Sequence, residues 1–207
     1  KRLLKDEQLM ARSQNFEYLL PKSGYRYIGW NQKRKGKPTR FADKRVRQAM
    51  TYLSDKQRIV DEIMLGYGEP AVGPFNPQGK QHASDLKLRN LDIKKAKDLL
   101  KQAGYEDRNG DGLLEDEAGK PFRFELIYPQ GSEQYTSLVL FLKDAYARAG
   151  VQLVPKATEW SVMIDLLDKK DFEAISLGWS ASLEGDLYQI FHGDQSKDNG
   201  DNFINYR

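Results

Sequence analysis

The feature that most constrains the fold is an alternation of strand-like and helix-like segments in the second half of the chain. Residues 122–128 and 151–154 have strand patterns, and residues 132–149 between them repeat apolar side chains at helical spacing. A second helical segment, 160–169, leads to a third strand-like segment, 172–177. Two strands joined by one helix predict a parallel β-α-β unit with a right-handed crossover. The alternation therefore places this half of the chain in the α/β class.

The first half of the chain has the pattern of helices joined by loops. Residues 1–13 predict a short amphipathic helix, and residues 16–31 predict two aromatic-rich extended segments around a turn. Residues 43–65 predict a long helical stretch that restarts near Asp55, and residues 92–104 predict a further helix with a buried apolar stripe.

Composition excludes several classes of protein. The 207 residues contain 33 Lys and Arg against 30 Asp and Glu, and a net charge of +3 does not favour a nucleic-acid partner. The absence of Cys excludes disulfide scaffolds, thiolate zinc sites and Cys nucleophiles. No apolar run approaches the ~20 residues of a membrane span. Because the chain begins with Lys1 rather than Met, we expect a processed or truncated chain, in which a targeting signal could have been removed.

Motifs for catalysis are missing from the sequence. There is no G-x-S-x-G elbow, G-x-G-x-x-G turn or Walker loop. Residues 33–40 form a basic segment that fits a phosphate or membrane contact, although a solvated connection is the favoured interpretation. Asp186, Gln189 and His192 share a spacing that fits one helix face, as a metal or acid–base group or as a helix cap with an exposed His. We therefore expect a protein that is not an enzyme.

The segment 107–115 resembles the start of a calcium-binding loop. Asp107, Asn109 and Asp111 alternate and are followed by a Gly, as in the first six positions of an EF-hand. The twelfth position is Ala rather than Glu, so Glu115 is the candidate for the missing carboxylate, with Glu117 as the alternative. The same residues also predict an Asx turn that leads into a hairpin. Both interpretations stay open at this point.

Trp160 and Trp179 are predicted to lie where a strand meets the next element. Indole rings fit either a packed core or a ligand pocket. Because α/β sheets bind ligands at the carboxyl ends of their strands, this placement favours a cleft.

Several segments, in order, resemble the extracellular solute-binding proteins of ABC importers, family 5, the peptide/nickel type. The most specific are FADKRVRQA at 41–49 and AKDLLKQAGY at 96–105. The resemblance runs from about residue 25 to the end of the chain. The other segments are 53–56, 66–77, 107–115, 122–128, 149–153, 159–160, 171–174 and 178–179.

This resemblance implies a type II periplasmic-binding-protein-like fold, in which two lobes, with a mixed sheet flanked by helices, close around a ligand. Residues 1–24 then correspond to the tail of the first lobe as it enters the hinge. Residues 25–207 correspond to the second, C-terminal ligand-binding lobe, incomplete at its C-terminal end. The implied function is capture of oligopeptides or related solutes at the periplasmic or extracellular face of the membrane, for delivery to an ABC-transporter permease.

The resemblance also implies ligand-binding positions. Peptide binders of this family carry an Asp three residues after the second Trp, where it pairs with the α-ammonium of the peptide; here that residue is Ser182. A neutral hydroxyl cannot supply such a charge-assisted hydrogen bond, so Glu184 or Asp186 is the candidate replacement, or the ligand has no free amine. The positions that line the pocket by resemblance are Trp160, Gly178, Trp179 and Ser180.

Two alternatives to transport remain from the residues themselves. The first is an extracellular interaction domain stabilised by calcium at the 107–115 loop. The second is a hydrolase on an α/β lobe, for which the sequence supplies no nucleophile or acid–base pair. Transport requires no cofactor, and calcium is an optional addition to it.

Overall fold

The computed structural model describes residues 5–16, 24–180, 185–197 and 200–207. The strands are β1 (Gly24–Trp30), β2 (Lys33–Arg34), β3 (Lys37–Pro38), β4 (Arg123–Pro129), β5 (Gln152–Thr158) and β6 (Ala174–Ser180). The helices are α1 (Glu7–Met10), α2 (Lys44–Leu53), α3 (Lys56–Arg58), α4 (Ile93–Gln102), α5 (Glu133–Ala147), α6 (Trp160–Asp168) and α7 (Tyr188–Phe191).

The main sheet is mixed and has the strand order β1-β6-β4-β5. β4 pairs in parallel with both β5 and β6, and β1 runs antiparallel to β6. The parallel β4-α5-β5 unit confirms the prediction from the alternating pattern. The next crossover, β5-α6-β6, passes over β4 in the opposite direction. Right-handed crossovers in opposite directions place α5 and α6 on opposite faces of the sheet.

The two faces bury cores of different size. On the α5 face a large core includes α2 and α4 and surrounds the aromatic side chains of Trp30, Phe41, Phe124 and Tyr146. Tyr146 is fully buried, and its hydroxyl lies 2.9 Å from Ser54 Oγ. On the α6 face a smaller core joins α6 to β4 and β6. Its buried members are Ile127, Met163, Leu167, Phe172, Ile175 and Leu177.

Local capping signals in the sequence set the starts of three helices. Asp43 Oδ1 accepts the N–H of Arg45 at 2.8 Å, and Asp92 Oδ1 accepts the N–H of Lys95 at 2.9 Å. Ser132 caps α5 in the same way. The predicted 43–65 helix breaks at Ser54, and Asp55 caps the restart, as expected. The restarted helix is α-helical for one turn and then π-helical over Ile59–Ile63.

Strand boundaries differ from the predicted ones toward the C-terminal side. β5 continues through Pro155 to Thr158, beyond the predicted end at Val154. A proline is tolerated there because β5 is an edge strand, so the missing N–H breaks no ladder bond. β6 begins at Ala174 and reaches Ser180. Trp179 is therefore the second-last residue of β6, at the end of the strand as predicted.

The N-terminal and basic segments are simpler than predicted. α1 covers only Glu7–Met10, capped by Asp6, and residues 1–4 lie outside the described chain. Of the two predicted segments in 16–31, β1 is present and residues 17–23 lie outside the described chain. The basic segment forms the β2–β3 hairpin, in which Arg34 and Lys35 lie 2.6 and 3.0 Å from the Asp171 carboxylate. This supports a structural connection rather than a phosphate contact.

Among the described residues, no helix has the length and apolar character needed to cross a lipid bilayer.

Candidate functional site

The candidate site lies at the carboxyl end of the parallel strands. β4, β5 and β6 end together at this edge, and antiparallel β1 begins there, with Gly24 paired to Ser180. The register joins β4 to β6 through only two residue pairs, Leu126 with Ala174 and Ile127 with Ile175. Beyond Ile175, β6 continues beside β1 while β4 continues beside β5. The strands therefore diverge at the point where the two crossovers separate, which is where open α/β sheets bind ligands.

Trp179 is positioned by the pairing of β1 with β6. It faces Tyr25 in the register, so both rings lie on the α6 face of the sheet. Its ring stacks on Phe203 with a centroid separation of 6.0 Å and an interplanar angle of 4°. Burial and the neighbouring Tyr25 raise the pKa of the Tyr27 phenol, whereas the Trp179 side chain lowers it. Trp179 is thus part of a closely spaced aromatic group rather than a free surface ring.

A cavity of about 140 Å³ opens beside this aromatic group. It lies between the end of the β1–β6 pair and the loop that contains Pro74 and Phe75. Gln81 connects this loop to Gly185, in the segment that leads to α7. Gln81 Oε1 accepts the N–H of Gly185 at 2.7 Å, and Gln81 Nε2 donates to the Gly185 carbonyl at 3.0 Å. The lining residues are Tyr25, Pro74, Phe75, Trp179, Ser180, Gly185, Asp186, Leu187 and Ile190.

Two polar groups of the residues that line this cavity have unused hydrogen-bonding capacity among the described residues. The Tyr25 hydroxyl is buried without a hydrogen-bond partner among the described residues, and burial raises the pKa of that phenol. Asp186 Oδ1 accepts the N–H of Tyr188 at 2.8 Å, and Oδ2 has no hydrogen-bond partner in the described part of the chain. An unpartnered hydroxyl and a carboxylate beside aromatic rings can bind a group that carries both a donor and apolar surface.

The structure brings only some of the predicted ligand positions together. Trp179, Ser180 and Asp186 line the same cavity, whereas Trp160 does not. Trp160 is the first residue of α6, and its ring is 56% exposed. Ser182 lies outside the described residues. The assignment of these residues to a ligand stays a prediction.

Trp160 owes its position to the cap of α6. The Glu159 carboxylate accepts the N–H groups of Ser161 and Val162 at 2.9 and 3.3 Å, and the Ser161 hydroxyl lowers the pKa of that carboxyl. β5 lies two strands from β6, so Trp160 stands at the same edge of the sheet as the cavity but outside it. It can contact only a ligand or partner that extends along this edge.

Gly178 faces the opposite side of the sheet from the cavity. It pairs with Arg26, whose guanidinium lies 4.5 Å from the centroid of the Tyr135 ring at the start of α5. Tyr25, Arg26 and Phe75 belong to no motif in the sequence that predicts a ligand contact. The strand pattern of β1 was visible, but no local signal shows that it pairs with β6.

The predicted Asp186–Gln189–His192 face does not form a catalytic or metal group. α7 is a single turn with Leu187 at its N-cap; Asp186, one residue earlier, accepts the N–H of Tyr188, and His192 stacks on Tyr188 at 4.3 Å between centroids. His192 Nδ1 accepts the N–H of Asp194 at 3.2 Å. His192 is exposed, as expected, but Leu187 rather than Asp186 occupies the N-cap position of α7.

The predicted calcium ligands lie at the other end of the sheet. Leu114 donates to the Gly150 carbonyl before β5, and Phe122 donates to the Leu114 carbonyl before β4. Asp107, Asp111 and Glu115 each place one carboxylate oxygen within 4.8 Å of the others.

The same loop also forms the predicted turn. Asp107 accepts the N–H groups of Gly110 and Gly112 at 2.7 and 3.1 Å, and Asn109 Oδ1 accepts that of Asp111 at 2.8 Å. Both interpretations of the sequence are compatible with this geometry, and calcium binding stays a prediction.

Comparisons with known proteins agree with this architecture. A family model described as "Bacterial extracellular solute-binding proteins, family 5 Middle" matches residues 3–202. The oligopeptide-binding protein AppA of Bacillus subtilis is 36% identical over 187 residues, which are 88% of this chain and 33% of AppA. The nickel-binding protein NikA of Staphylococcus aureus is 26% identical over 163 residues, 79% of this chain and 30% of NikA.

Solved structures show the same relationship. AppA from B. subtilis in complex with a nonapeptide has a TM-score of 0.82 at 35% identity, covering 90% of this chain and 36% of AppA. NikZ from Campylobacter jejuni in complex with Ni(L-His) has a TM-score of 0.77 at 28% identity, covering 89% of this chain and 36% of NikZ. The chain thus spans about a third of the length of these relatives.

Proposed function

Because the chain belongs to family 5 of the bacterial extracellular solute-binding proteins, we propose that the full-length protein captures oligopeptides and delivers them to the permease of an ABC importer. The observation that carries this proposal is the aromatic cavity at the carboxyl end of the sheet, where Tyr25 and Trp179 lie side by side. AppA, 35% identical with a TM-score of 0.82, was solved with a nonapeptide. This chain then supplies one side of a cleft, and the remainder of the protein supplies the other.

The chemistry of the edge is suited to peptides of varied sequence. Aromatic faces contact apolar side chains without selecting a particular one. Where β6 separates from β4, an extended peptide can lie along the strand and exchange main-chain hydrogen bonds with it, as an added strand does. Main-chain hydrogen bonds would supply affinity for any peptide, and the aromatic rings would accept side chains of different kinds. Such a site binds peptides of many sequences.

Asp186 is our candidate for the anchor of the peptide ammonium group. Ser182 occupies the position that bears an Asp in the peptide binders of this family, so a charge must come from elsewhere. Asp186 lines the cavity and keeps Oδ2 free of hydrogen bonds to described residues. A charge-assisted bond to this carboxylate is stronger than one to a hydroxyl.

Delivery requires that the ligand change the shape of the protein. A solute that contacts both lobes stabilises the closed arrangement, because only that arrangement provides both sets of contacts. The permease then distinguishes the closed protein from the open one. In this proposal the protein works outside the cytoplasmic membrane and binds its solute without transforming it.

Native mass spectrometry of the full-length protein tests the proposal directly. The protein is purified under non-denaturing conditions, and its bound molecules are released by acid and sequenced. We expect a heterogeneous set of peptides at close to one per protein. A nickel chelate as the sole bound species, or no affinity for added peptides after ligand removal, would overturn the proposal.

A further inference from the structure

Arg26 is a cation at the ligand edge without an ionic partner in the described part of the chain. It is the third residue of β1, and its side chain points to the α5 face, opposite to that of Tyr25. Arg34, Arg45 and Arg58 each have a carboxylate oxygen at 2.6 Å, whereas Arg40 and Arg47, like Arg26, have hydrogen bonds to neutral groups only. Arg26 contacts only neutral groups, so its charge is available to something else.

Neutral neighbours hold the Arg26 guanidinium in place. It lies 4.5 Å from the Tyr135 ring centroid, and Nη2 donates to Gln134 Oε1 at 2.5 Å. Gln134 is itself held, since its Nε2 lies 3.3 Å from Met64 Sδ. A guanidinium has five N–H donors in a planar fork, and this arrangement uses one of them. The other four have no acceptor among the described residues and can bind a planar acceptor.

Gly178 leaves room beside this group. A Cβ atom at residue 178 would lie 3.2 Å from the Tyr25 carbonyl oxygen, 3.7 Å from Tyr135 Oη and 3.9 Å from Arg26 Cγ. A larger side chain there would fill the space between the phenol and the aliphatic part of the arginine. The glycine therefore avoids a tight contact with the Tyr25 carbonyl and leaves the aliphatic part of Arg26 uncovered on this side.

We propose that Arg26, stacked on Tyr135 and held by Gln134 beside Gly178, binds a carboxylate group of the solute. The planar fork matches a carboxylate, which can accept two parallel N–H bonds. The inference rests on the proposed function. Arg26 and Asp186 lie on opposite sides of the β1–β6 edge, so the pair fits a solute with both an ammonium and a carboxylate group.

A charge scan in the full-length protein tests this role. The probes are synthetic nonapeptides of one parent sequence without acidic side chains, with Gln or Glu at each position in turn and with an amidated or free C-terminus. Affinities are measured by calorimetry for wild type, Arg26→Gln and Arg26→Lys. Arg123→Gln is the matched control, because Arg123 is exposed at the opposite end of β4 and its loss changes the net charge equally.

Wild type should prefer the acidic member of at least one pair by about tenfold, the order expected for a charge-assisted hydrogen bond. Arg26→Gln should bind both members of that pair equally, Arg26→Lys should keep part of the preference, and Arg123→Gln should keep all of it. Equal binding of every pair by wild type, or a preference that survives in Arg26→Gln, would overturn the inference while leaving peptide binding intact. Failure of wild type to bind any peptide would overturn the proposed function and this inference together.

Discussion

At the amino end of the central sheet, the Asp107 carboxylate accepts two backbone N–H groups and buried Glu115 accepts that of Arg108 at 2.8 Å. At the carboxyl end, the Tyr25 hydroxyl has no partner among the described residues and the Trp160 ring is 56% exposed. The two carboxylates of the 107–115 loop thus bind the backbone of their own loop. Gln32 Nε2, at the same end, is unpartnered among the described residues, as the Tyr25 hydroxyl is, but Tyr25 lines the aromatic cavity.

This contrast identifies the end at which a ligand is expected. An unpartnered polar group in a cavity costs free energy unless something binds it, so its persistence is consistent with a ligand-binding role. A loop whose acceptors already bind backbone N–H groups contributes to stability instead. Substitutions at the carboxyl end should therefore lower the affinity for peptides, and substitutions at the amino end should lower the free energy of unfolding.

The largest effect is expected for Trp179→Ala. Loss of an aromatic anchor that a bound peptide covers costs about 2 kcal/mol of binding free energy, which weakens peptide affinity ~30-fold. Trp179→Phe keeps a ring against Phe203 and should lose much less. Trp160→Ala should weaken binding only about fivefold, because that ring lies outside the cavity. Calorimetry on the full-length protein checks this order, and a larger loss for Trp160→Ala would contradict our placement of the ligand.

Glu115→Ala should lower the stability of the fold and leave peptide affinity almost unchanged. Glu115 is only 3% exposed, and its removal leaves the Arg108 N–H without its acceptor. We expect a loss of about 2 kcal/mol in the free energy of unfolding and peptide affinity within twofold of wild type. Exposed Glu117→Ala is the matched control and should change stability by less than ~0.5 kcal/mol. If urea unfolding gave the two variants equal free energies of unfolding, the hydrogen bond from the Arg108 N–H to Glu115 would not stabilise the amino end.

The sequence was sufficient where a structural signal is local. Asp43, Asp92 and Ser132 each place a capping oxygen next to a periodic apolar run, and each does cap a helix. The parallel β4-α5-β5 unit follows from its pattern in the same way. The α/β class was therefore predictable without tertiary information.

The site was less predictable because strand pairing is not local. Tyr25 and Arg26 lie about 150 residues before Trp179 and Gly178, and only the β1–β6 register brings them together. Phe75 reaches the cavity from a loop without periodicity. The resemblance to a known family supplied Trp179 and Ser180, but the residues around them required the structure.

Calcium should have a smaller effect, confined to the amino end. For an extracellular loop with a Kd of about 1 mM, 10 mM calcium stabilises the folded state by ~1.4 kcal/mol, or about 3 °C in the melting temperature. Asp111→Asn keeps an acceptor for the Leu113 N–H but removes a charge, so it should abolish the shift. An unchanged melting curve with calcium and with EDTA would leave the Asx turn as the whole explanation of the motif.

The smallest effect is expected at Asp171, before β6 at the amino end. The Arg34 hydrogen bond lowers the pKa of Asp171, burial opposes this, and Lys35 adds to the lowering. A carboxyl whose folded pKa lies below its unfolded value of ~3.9 stabilises the fold above that value, and this contribution is lost as the pH falls through the folded pKa. Asp171→Asn should cost about 0.5–1 kcal/mol at pH 7 and flatten the loss of stability below pH ~4, with peptide affinity unchanged. The free energy of unfolding is measured for the variant and wild type at several pH values between 7 and about 3. If it fell equally with pH in both proteins, the ion pairs of Asp171 with the β2–β3 hairpin would not contribute to stability.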